Sequence, residues 1–353
     1  MNKSNILSKI FFRPCTILFG ISLIISYCSV YINPIHFWIP AFFGLYFVPL
    51  VIINALFLLV ALLKRSKIAW IPFISLLPTL LFAELFVRWG AVEEVGSGLS
   101  IKIATYNVCN FQGYGKKTRE ETITEIRRFL DREQIDIVCM QEFFCLDTGI
   151  VGELFPSFPY HFFYQKDIIN PYQNNIIFSR YPIKHAGVLP FPDNQRSCIY
   201  ADFNLHGREF RVYTTHFQSN NISLNAIVDR IRHYQEVPDE IIQAHMRIRD
   251  AFLIRPRQVE IIDQHLNTVT KPYILCGDFN DTPVSYTYHS LQKRLSDSFR
   301  NAGKGFGATF RYLWPALRID YILYSQPFAA KAHVTKRVPF SDHYPVITEL
   351  IIL

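Results

Sequence analysis

From Pro14 to Leu63 the chain contains no Asp, Glu, Lys or Arg. That absence denies the stretch a water-facing side and leaves room for two membrane spans of about 20 residues each, joined at Asn33-Pro34. The seven cysteines include no CxxC pair, which excludes a thiolate zinc site of the finger type. Cys109, Cys139 and Cys276 lie in or beside apolar strand-like runs, where a free thiol packs as a small hydrophobe. A Cys139–Cys145 disulfide would require an oxidising compartment and is not expected. Internal repeats and low-complexity tracts are missing as well. So is a concentrated basic charge. Of the net +7, residues 1–95 carry +4, seven basic against three acidic residues, and +3 remains for the other 258. A balance that small is not the footprint of a dedicated DNA binder, and composition is neutral about nucleic acid.

What is present divides into an apolar N-terminal part and a mixed C-terminal part, with the shift near Glu93 to Ser100. A third apolar stretch, Ile68 to Trp89, carries Pro72, Pro78 and Glu84; it reads as a third span, with a re-entrant or interfacial segment as the alternative. Lys3, Lys9 and Arg13 precede apolar segments that continue far past any cleavage site, so an uncleaved anchor is expected rather than a signal peptide. Lys64, Arg65 and Lys67 lie between the second and third stretches, whereas the connection from Asn33 to His36 has no formal charge. The positive-inside rule places the N-terminus and the second connection in the cytoplasm. Three spans then put the C-terminal part outside, and two keep it inside. The expected organisation is an anchor over 1–92 with two to three transmembrane helices, a linker over 93–100, and a catalytic domain over 101–353.

The segment VGSGLS (95–100) is small and flexible, and ten or so residues reach at most about 35 Å, which ties the following domain close to a bilayer. Ile101 to Tyr106 alternates like a strand. Thr118-Arg-Glu-Glu121 has capping-box spacing and opens a helix carrying Ile123, Ile126, Phe129 and Leu130. Ile135 to Met140 reads as a buried strand leading to Gln141-Glu142. Further strand-like runs begin at Tyr160, Asn175, Cys198, Phe210, Tyr273, Ile319 and Tyr344, and Gly207 marks a hairpin turn. Leu224 to Thr268, with Arg230, Arg232, Arg247 and Arg249, reads as two helices and an exposed excursion. Many strands among few helices indicate an α/β or α+β domain with more than one sheet.

Polar residues stand at the ends of these runs. Alternation along an extended Gly277-Asp278-Phe279-Asn280 puts Asp278 and Asn280 on one face, a carboxylate and an amide suited to a base and an oxyanion donor. Glu142 follows four buried-type residues and needs a partner; Mg²⁺ is a fitting one, with Asn107 or Asp342 as companion. In Ser341-Asp342-His343 the adjacent side chains diverge, Asp342 toward the metal side and His343 toward a phosphate. Asp320 is placed to accept from the His343 ring. His216 ends a β-branched strand and suits a general acid or a phosphate donor. Arg196 and Arg180 are weaker candidates for clamping phosphate. Singly, each has a blander reading: a strand-end turn, a surface Asp-His step, a core histidine, a solvated arginine.

Together, TYNVCNF, MQEF, FSRYPI, THF, GDFND, RIDYIL and SDHYPV, in that order, resemble the endonuclease/exonuclease/phosphatase superfamily, the DNase I-like proteins, over about Ile101 to Leu353. The resemblance implies an α/β four-layer sandwich of two packed mixed β-sheets flanked by helices, and cleavage of a phosphoester dependent on Mg²⁺, with Mn²⁺ a substitute. It implies that Glu142 is the metal ligand and Asn107 the amide supporting metal and phosphate. Asp278 and Asn280 match the water-activating and phosphate-contacting pair, Asp320 and His343 the Asp-His couple, Asp342 the carboxylate beside it, and His216 the second histidine of the DNase I and sphingomyelinase branches. The abasic-site branch carries a tyrosine and an asparagine around that segment, which speaks against repair activity here. Asn174-Asn175 stands where many relatives have glycine. The N-terminal anchor resembles that of bacterial membrane-tethered members. The expectation is therefore a hydrolase in a bacterial inner membrane, its catalytic domain on the extracytoplasmic side. Its substrate would be a lipid head group, a nucleic acid or an inositol phosphate, and no obligate protein partner is inferred. The alternatives are a DNase I-like nuclease, a sphingomyelinase-like lipid phosphodiesterase, and a non-catalytic phosphate-binding module.

Overall fold

The alternation that begins at Leu99 becomes strand, and the apolar block before it becomes helix, in a computed structural model that describes residues 11–90, 95–113, 117–145, 147–165, 174–191, 196–220, 237–313 and 315–353. Lys3, Lys9, Arg230 and Arg232 lie outside the described residues. The chain packs as two units. The first comprises Met1–Phe86, Asn221–Pro256 and Asp281–Ser290; the second comprises Val87–Asn220, Arg257–Asn280 and Leu291–Leu353.

In the first unit, α1 (Arg13–Cys28) starts with Pro14 in its first turn, where a missing N–H costs nothing, and ends ahead of Asn33-Pro34. Next come α2 (Ile39–Leu45) and α3 (Phe47–Leu63), bent by 72° at Tyr46. Pro49 accounts for the break, because its ring clashes with the carbonyl four residues back, at Leu45. A helical run, α4 (Lys67–Leu85), follows. Among the described residues only α4 is by itself long and apolar enough to cross a membrane; α2 with α3 qualifies if the bent pair is one span, and α1 is shorter. Polar side chains tie the helices of this unit to one another. Buried Asn54 donates through Nδ2 to Phe19 O (3.0 Å) and Leu50 O (2.8 Å), joining α1 to α3. Tyr27 Oη donates to Ser75 O at 2.8 Å, joining α1 to α4. Outward, α1, α3 and α4 present bare apolar side chains such as Leu18, Leu56 and Leu81.

Among the described residues the second unit contains fourteen strands: β1 (Val87–Arg88), β2 (Leu99–Asn107), β3 (Ile137–Gln141), β4 (Tyr160–Tyr164), β5 (Asn175–Ser179), β6 (Ile183–Pro190), β7 (Ser197–Leu205), β8 (Arg208–His216), β9 (Tyr273–Asp278), β10 (Ser296–Asp297), β11 (Gly305–Phe306), β12 (Asp320–Tyr324), β13 (Phe328–Thr335) and β14 (Val346–Ile352). Two six-stranded sheets form, ordered β13-β14-β2-β3-β5-β4 and β10-β12-β9-β8-β7-β6. Each has one parallel pair at its centre, β2 with β3 and β8 with β9, flanked by antiparallel neighbours. The two sheets thus share one pattern of strand directions, although the sequence shows no repeat.

Between the sheets lies a core that includes Ile101, Ile103, Cys139 and Ile177 from one and Ile199, Val212, Ile274 and Ile322 from the other. On the outer face of the first sheet, Ala104, Tyr106, Val138 and Met140 pack with Ile126, Phe129 and Leu130 of α5 (Arg119–Arg132). That helix opens on the capping box expected at Thr118 and Glu121. Where two helices were expected after Leu224, the described part is one continuous helix, α6 (Val237–Leu266), with Pro256 inside it. Its last turns carry His265 against Tyr213 of the second sheet. The hairpin between β7 and β8 turns on His206 (φ +51°) and Gly207 (φ +84°), both left-handed, which matches the twist of the flanking strands. All seven cysteines are free.

Candidate active site

The two parallel pairs end together. In one sheet Asn107 is in register with Gln141, and in the other His216 is in register with Asp278. Asp320 opens antiparallel β12 directly opposite Asp278. Asn107, Glu142, His216, Asp278 and Asp320 therefore reach one edge of the sandwich, joined by His343 from the approach to β14. Below them Gln141, buried, donates through Nε2 to Thr214 Oγ1 (2.8 Å) and Thr105 Oγ1 (3.1 Å), linking the sheets with a polar layer.

Asp278 is the centre. Its Oδ2 accepts from Asn107 Nδ2 at 3.0 Å and lies 3.5 Å from His216 Nε2 and 3.8 Å from His343 Nε2. Its Oδ1 accepts from the Asn280 N–H at 2.8 Å. Asn107 Nδ2 also donates to Glu142 Oε1 at 3.2 Å, and the same oxygen is 3.7 Å from His216 Nε2. His343 Nδ1 faces both oxygens of Asp320, at 2.9 and 3.2 Å, and its Nε2 is left toward Asp278. Thr309, not singled out in the sequence, holds this corner. Its hydroxyl accepts the N–H groups of Ile319 and Asp320, and its carbonyl accepts from Tyr344 N. No side-chain pattern announced Thr309, because its work is on backbone groups.

Strained backbone collects here. Cys109, Asn110, Phe111, Glu142 and Asn280 all have φ between +45° and +59°. Non-glycine residues in that region cost on the order of 1–3 kcal/mol each and persist where surrounding contacts impose them. Asn110 N donates to Glu142 O and Val108 N to Gln141 O, so the turns after β2 and β3 fix one another. Asn280 consequently reaches the site by a turn and not by the strand alternation expected of it. Its Nδ2 donates to Phe217 O at 3.1 Å, and Phe279 is buried against Tyr321 and Phe217.

Electrostatics follow from burial. Desolvation, reinforced by Asp320, raises the Asp278 pKa to about 7 against the pull of His343, Asn107 and the Asn280 N–H. Burial also raises Glu142, with Asp342 adding to it while Asn107, His343 and Arg196 oppose. Burial alone would lower His343; Asp320 and Asp278 outweigh it and hold the imidazole well above its ordinary value. The Cys109 thiol is pushed up by burial and by Asp342 and Glu142, so it stays protonated.

The structure brings Asn107, Glu142, His216, Asp278, Asn280, Asp320 and His343 together. Asp342 is half-buried beside Cys109, its Oδ1 accepting from Ser341 Oγ at 3.1 Å. Arg196, buried, donates to Phe217 O at 2.6 Å and influences Glu142. Arg180 does not belong to the site. It follows Ser179, which pairs with Ile137 at the opposite end of β3, and is held by Ile135 O (2.7 Å) and Asp131 (3.2 Å). Asn174 lends its carbonyl to Phe143 N, and Asn175 Nδ2 donates to Ser197 O at 2.8 Å, so this pair stitches the rim between the sheets.

Buried carboxylates with upward-shifted pKa values, and oxygen donors without a cysteine pair, fit a hard divalent cation. Two donor sets offer themselves. Glu142 heads one, with Asp342 near enough to raise its pKa and Asn107 Nδ2 donating to it at 3.2 Å. Asp278, Asp320 and His343 form the other, their ligand atoms within 4.8 Å of one another. In the second set His343 Nδ1 is already engaged by Asp320.

Two mixed six-stranded sheets face to face, with acids, amides and imidazoles gathered at one edge, constitute a DNase I-like α/β sandwich. The chain belongs to the Endonuclease/Exonuclease/phosphatase family, which it matches over residues 104–343. Residues 8–85 match a second family, described only as a domain of unknown function. No curated protein matches the sequence. Among solved structures, a family member from Bacteroides thetaiotaomicron is 19% identical, with a TM-score of 0.55, covering 73% of this chain and 100% of its own. The mannosyl-6-phosphatase of the same organism is 18% identical, with a TM-score of 0.53, over 71% of this chain and 100% of its own. D. rerio TDP2 bound to a single-strand DNA product is 16% identical, with a TM-score of 0.52, over 71% of this chain and 98% of its own. At such identities the likeness is one of fold.

Proposed function

We propose that this protein is a membrane-anchored, divalent-metal-dependent hydrolase of a phosphoester. The observation that carries the reading is the convergence on Asp278 Oδ2 of Asn107 Nδ2, His216 Nε2 and His343 Nε2 within 3.8 Å. In this reading Asp278 orients the attacking water and takes its proton as the new P–O bond forms. His343, held cationic by Asp320, stabilises the phosphoryl oxygens, and His216 donates to the departing oxygen as the ester P–O bond breaks. Asn280, with its backbone N–H on Asp278, fixes the carboxylate. Glu142 and Asp342, with Asn107 beside them, would hold Mg²⁺ or Mn²⁺, which supplies charge neutralisation at the phosphoryl group. Anchoring rests on α4 and on the bent α2–α3 pair, whose apolar side chains face outward. The expected site of the protein is an inner membrane, with the sandwich outside the cytoplasm.

The named neighbours act on different esters, a sugar phosphate for one and DNA for the other, so the substrate is sought by assay. The full-length protein in detergent is offered bis(p-nitrophenyl) phosphate, p-nitrophenyl phosphate, mannose 6-phosphate, a DNA oligonucleotide and phosphatidylglycerol vesicles, with Mg²⁺ or with EDTA. Hydrolysis of at least one that stops with EDTA is the expected result. No turnover of any of them with Mg²⁺ or Mn²⁺ would remove the enzymatic reading and favour a phosphate-binding module.

A further inference from the structure

Asn280 is followed immediately by a segment that packs with the N-terminal helices. Asp281–Ser290 belongs to the first unit, and residues 281 to 285 are all buried. Asp281 accepts through Oδ2 from Arg255 Nε at 3.1 Å and from Thr287 Oγ1 at 2.7 Å, and through Oδ1 from Thr282 N at 3.1 Å. Arg255 is wholly buried, so this ion pair is a fixed joint between α6 and the segment and not a surface contact. Three residues on, Val284 O lies 2.9 Å from Ser29 Oγ, which follows α1. Gly44, in α2, closes on the same point. A Cβ there would stand 2.4 Å from both Ser29 Oγ and Val284 O, so only glycine lets the segment through. Thr282 Oγ1 approaches Gly44 O at 3.4 Å, and the Tyr31 and His289 rings meet edge to face at 5.1 Å.

We propose that the N-terminal helices are a positioning element for the reaction: Ser29 and Gly44, through Val284, and Arg255, through Asp281, hold the turn that carries Asp278 and Asn280. The segment has no slack. Three residues separate Asn280 from Val284, and Asn280 sits in a left-handed conformation that neighbouring contacts must impose. A helical anchor that only tethered the enzyme would have no need to bury the residues that follow the catalytic strand. This inference rests on the proposed hydrolysis for its kinetic readout, but not for its structural one.

The test uses the full-length protein in detergent, as Gly44→Ala and Ser29→Ala. Turnover of bis(p-nitrophenyl) phosphate at saturating Mg²⁺ is followed together with amide hydrogen exchange. Gly44→Ala is expected to lower kcat about tenfold or more with KM within about twofold, since a misplacement near 1 Å costs on the order of 10²-fold. Ser29→Ala, which removes a contact without adding an atom, should lower kcat about threefold. In both, exchange at Phe279 and Asn280 rises, whereas Ile274 to Cys276 and Val346 to Ile352 keep their protection. Wild-type exchange at Phe279 and Asn280 in a folded variant, with kcat within about twofold, overturns the proposal. Should Gly44→Ala not fold, Ser29→Ala decides on the same readings. If the wild-type protein hydrolyses none of the phosphoesters, the hydrolase reading falls and exchange alone decides the coupling.

Discussion

Asp278 is where burial, charge and geometry meet, and its removal is the most informative single change. Asp278→Asn keeps the shape and, with its single acceptor oxygen, one of the two contacts from Asn107 Nδ2 and the Asn280 N–H, but cannot take a proton, so kcat should fall by about 10²-fold or more, the usual contribution of acid-base groups. Stability should not fall with it. The folded-state pKa, about 7, is above that of the unfolded chain, so the native protein binds the extra proton. The stabilisation is complete below the unfolded value and is lost as pH rises through about 7. In metal-free protein, raising the pH from 5 to 8 should therefore lower the wild-type Tm more than that of Asp278→Asn, read by differential scanning calorimetry. The two cation donor sets are separable in the same instrument. Mg²⁺ at about 100 times its Kd adds roughly 2.7 kcal/mol, an upward Tm shift of several degrees. If Glu142 and Asp342 hold the ion, Glu142→Gln abolishes that shift and Asp320→Asn retains it; the reverse outcome assigns the ion to Asp278, Asp320 and His343. Most of these residues were legible because each ends an apolar run, where a polar side chain has no packing reason to be. Arg180 has the same look, yet it ends its strand at the far end of the sheet. Thr309 was illegible because a threonine that serves two backbone N–H groups looks like any other.

Nine of the strands were readable from their residue patterns and the start of α5 from its capping box, since both follow from the local geometry of side chains, whereas β6 (Ile183–Pro190) and β13 (Phe328–Thr335) were not read. The bend at Tyr46 and the single helix Val237–Leu266 were harder. Hydropathy treats Pro49 as part of an apolar run, and the charges of α6 mask its period. The shared direction pattern of the two sheets left no trace, since a backbone pattern can persist without side-chain similarity. Within β9 the tightest requirement is at Gly277. Its φ is +141°, and a Cβ would fall 1.9 Å from Thr215 O of the neighbouring parallel strand. Gly277→Ala should therefore force β8 and β9 apart at the end that carries His216 and Asp278. A loss of about 3–5 kcal/mol is expected, as for other substitutions that place an atom in occupied backbone space, with the urea midpoint falling accordingly. An unchanged midpoint would mean that the strand pair is more yielding than its close approach implies.

The sequence reads as three consecutive blocks: an apolar anchor, a short linker and a catalytic domain. Packing groups the chain differently, because residues 221–256 and 281–290 fall with Met1–Phe86. Hydropathy marks which residues avoid water but not which distant segment they shelter, so a buried loop such as Asp281–Ser285 is invisible to it. This difference bears on how the protein can be cut. A chain starting at residue 95 would lose Ser29, Gly44 and the helices around them while keeping Val284 and Phe252, both now buried, as exposed apolar surface. Such a truncation should be recovered mostly aggregated, or folded with kcat reduced at least as far as in Gly44→Ala, as measured by size-exclusion chromatography and the bis(p-nitrophenyl) phosphate assay. The intact chain, in contrast, should stay with membranes through alkaline carbonate extraction. A reporter fused after Leu353 that works only outside the cytoplasm should be active if Arg13–Cys28, the bent pair and Lys67–Leu85 each cross once. With the N-terminus cytoplasmic, as the positive-inside rule expects, an odd number of crossings puts the sandwich on the opposite side and an even number keeps it inside. A silent reporter together with carbonate-resistant protein would therefore mean that one of the three is re-entrant, and Tyr46, where α2 and α3 bend by 72°, is where the chain would turn back.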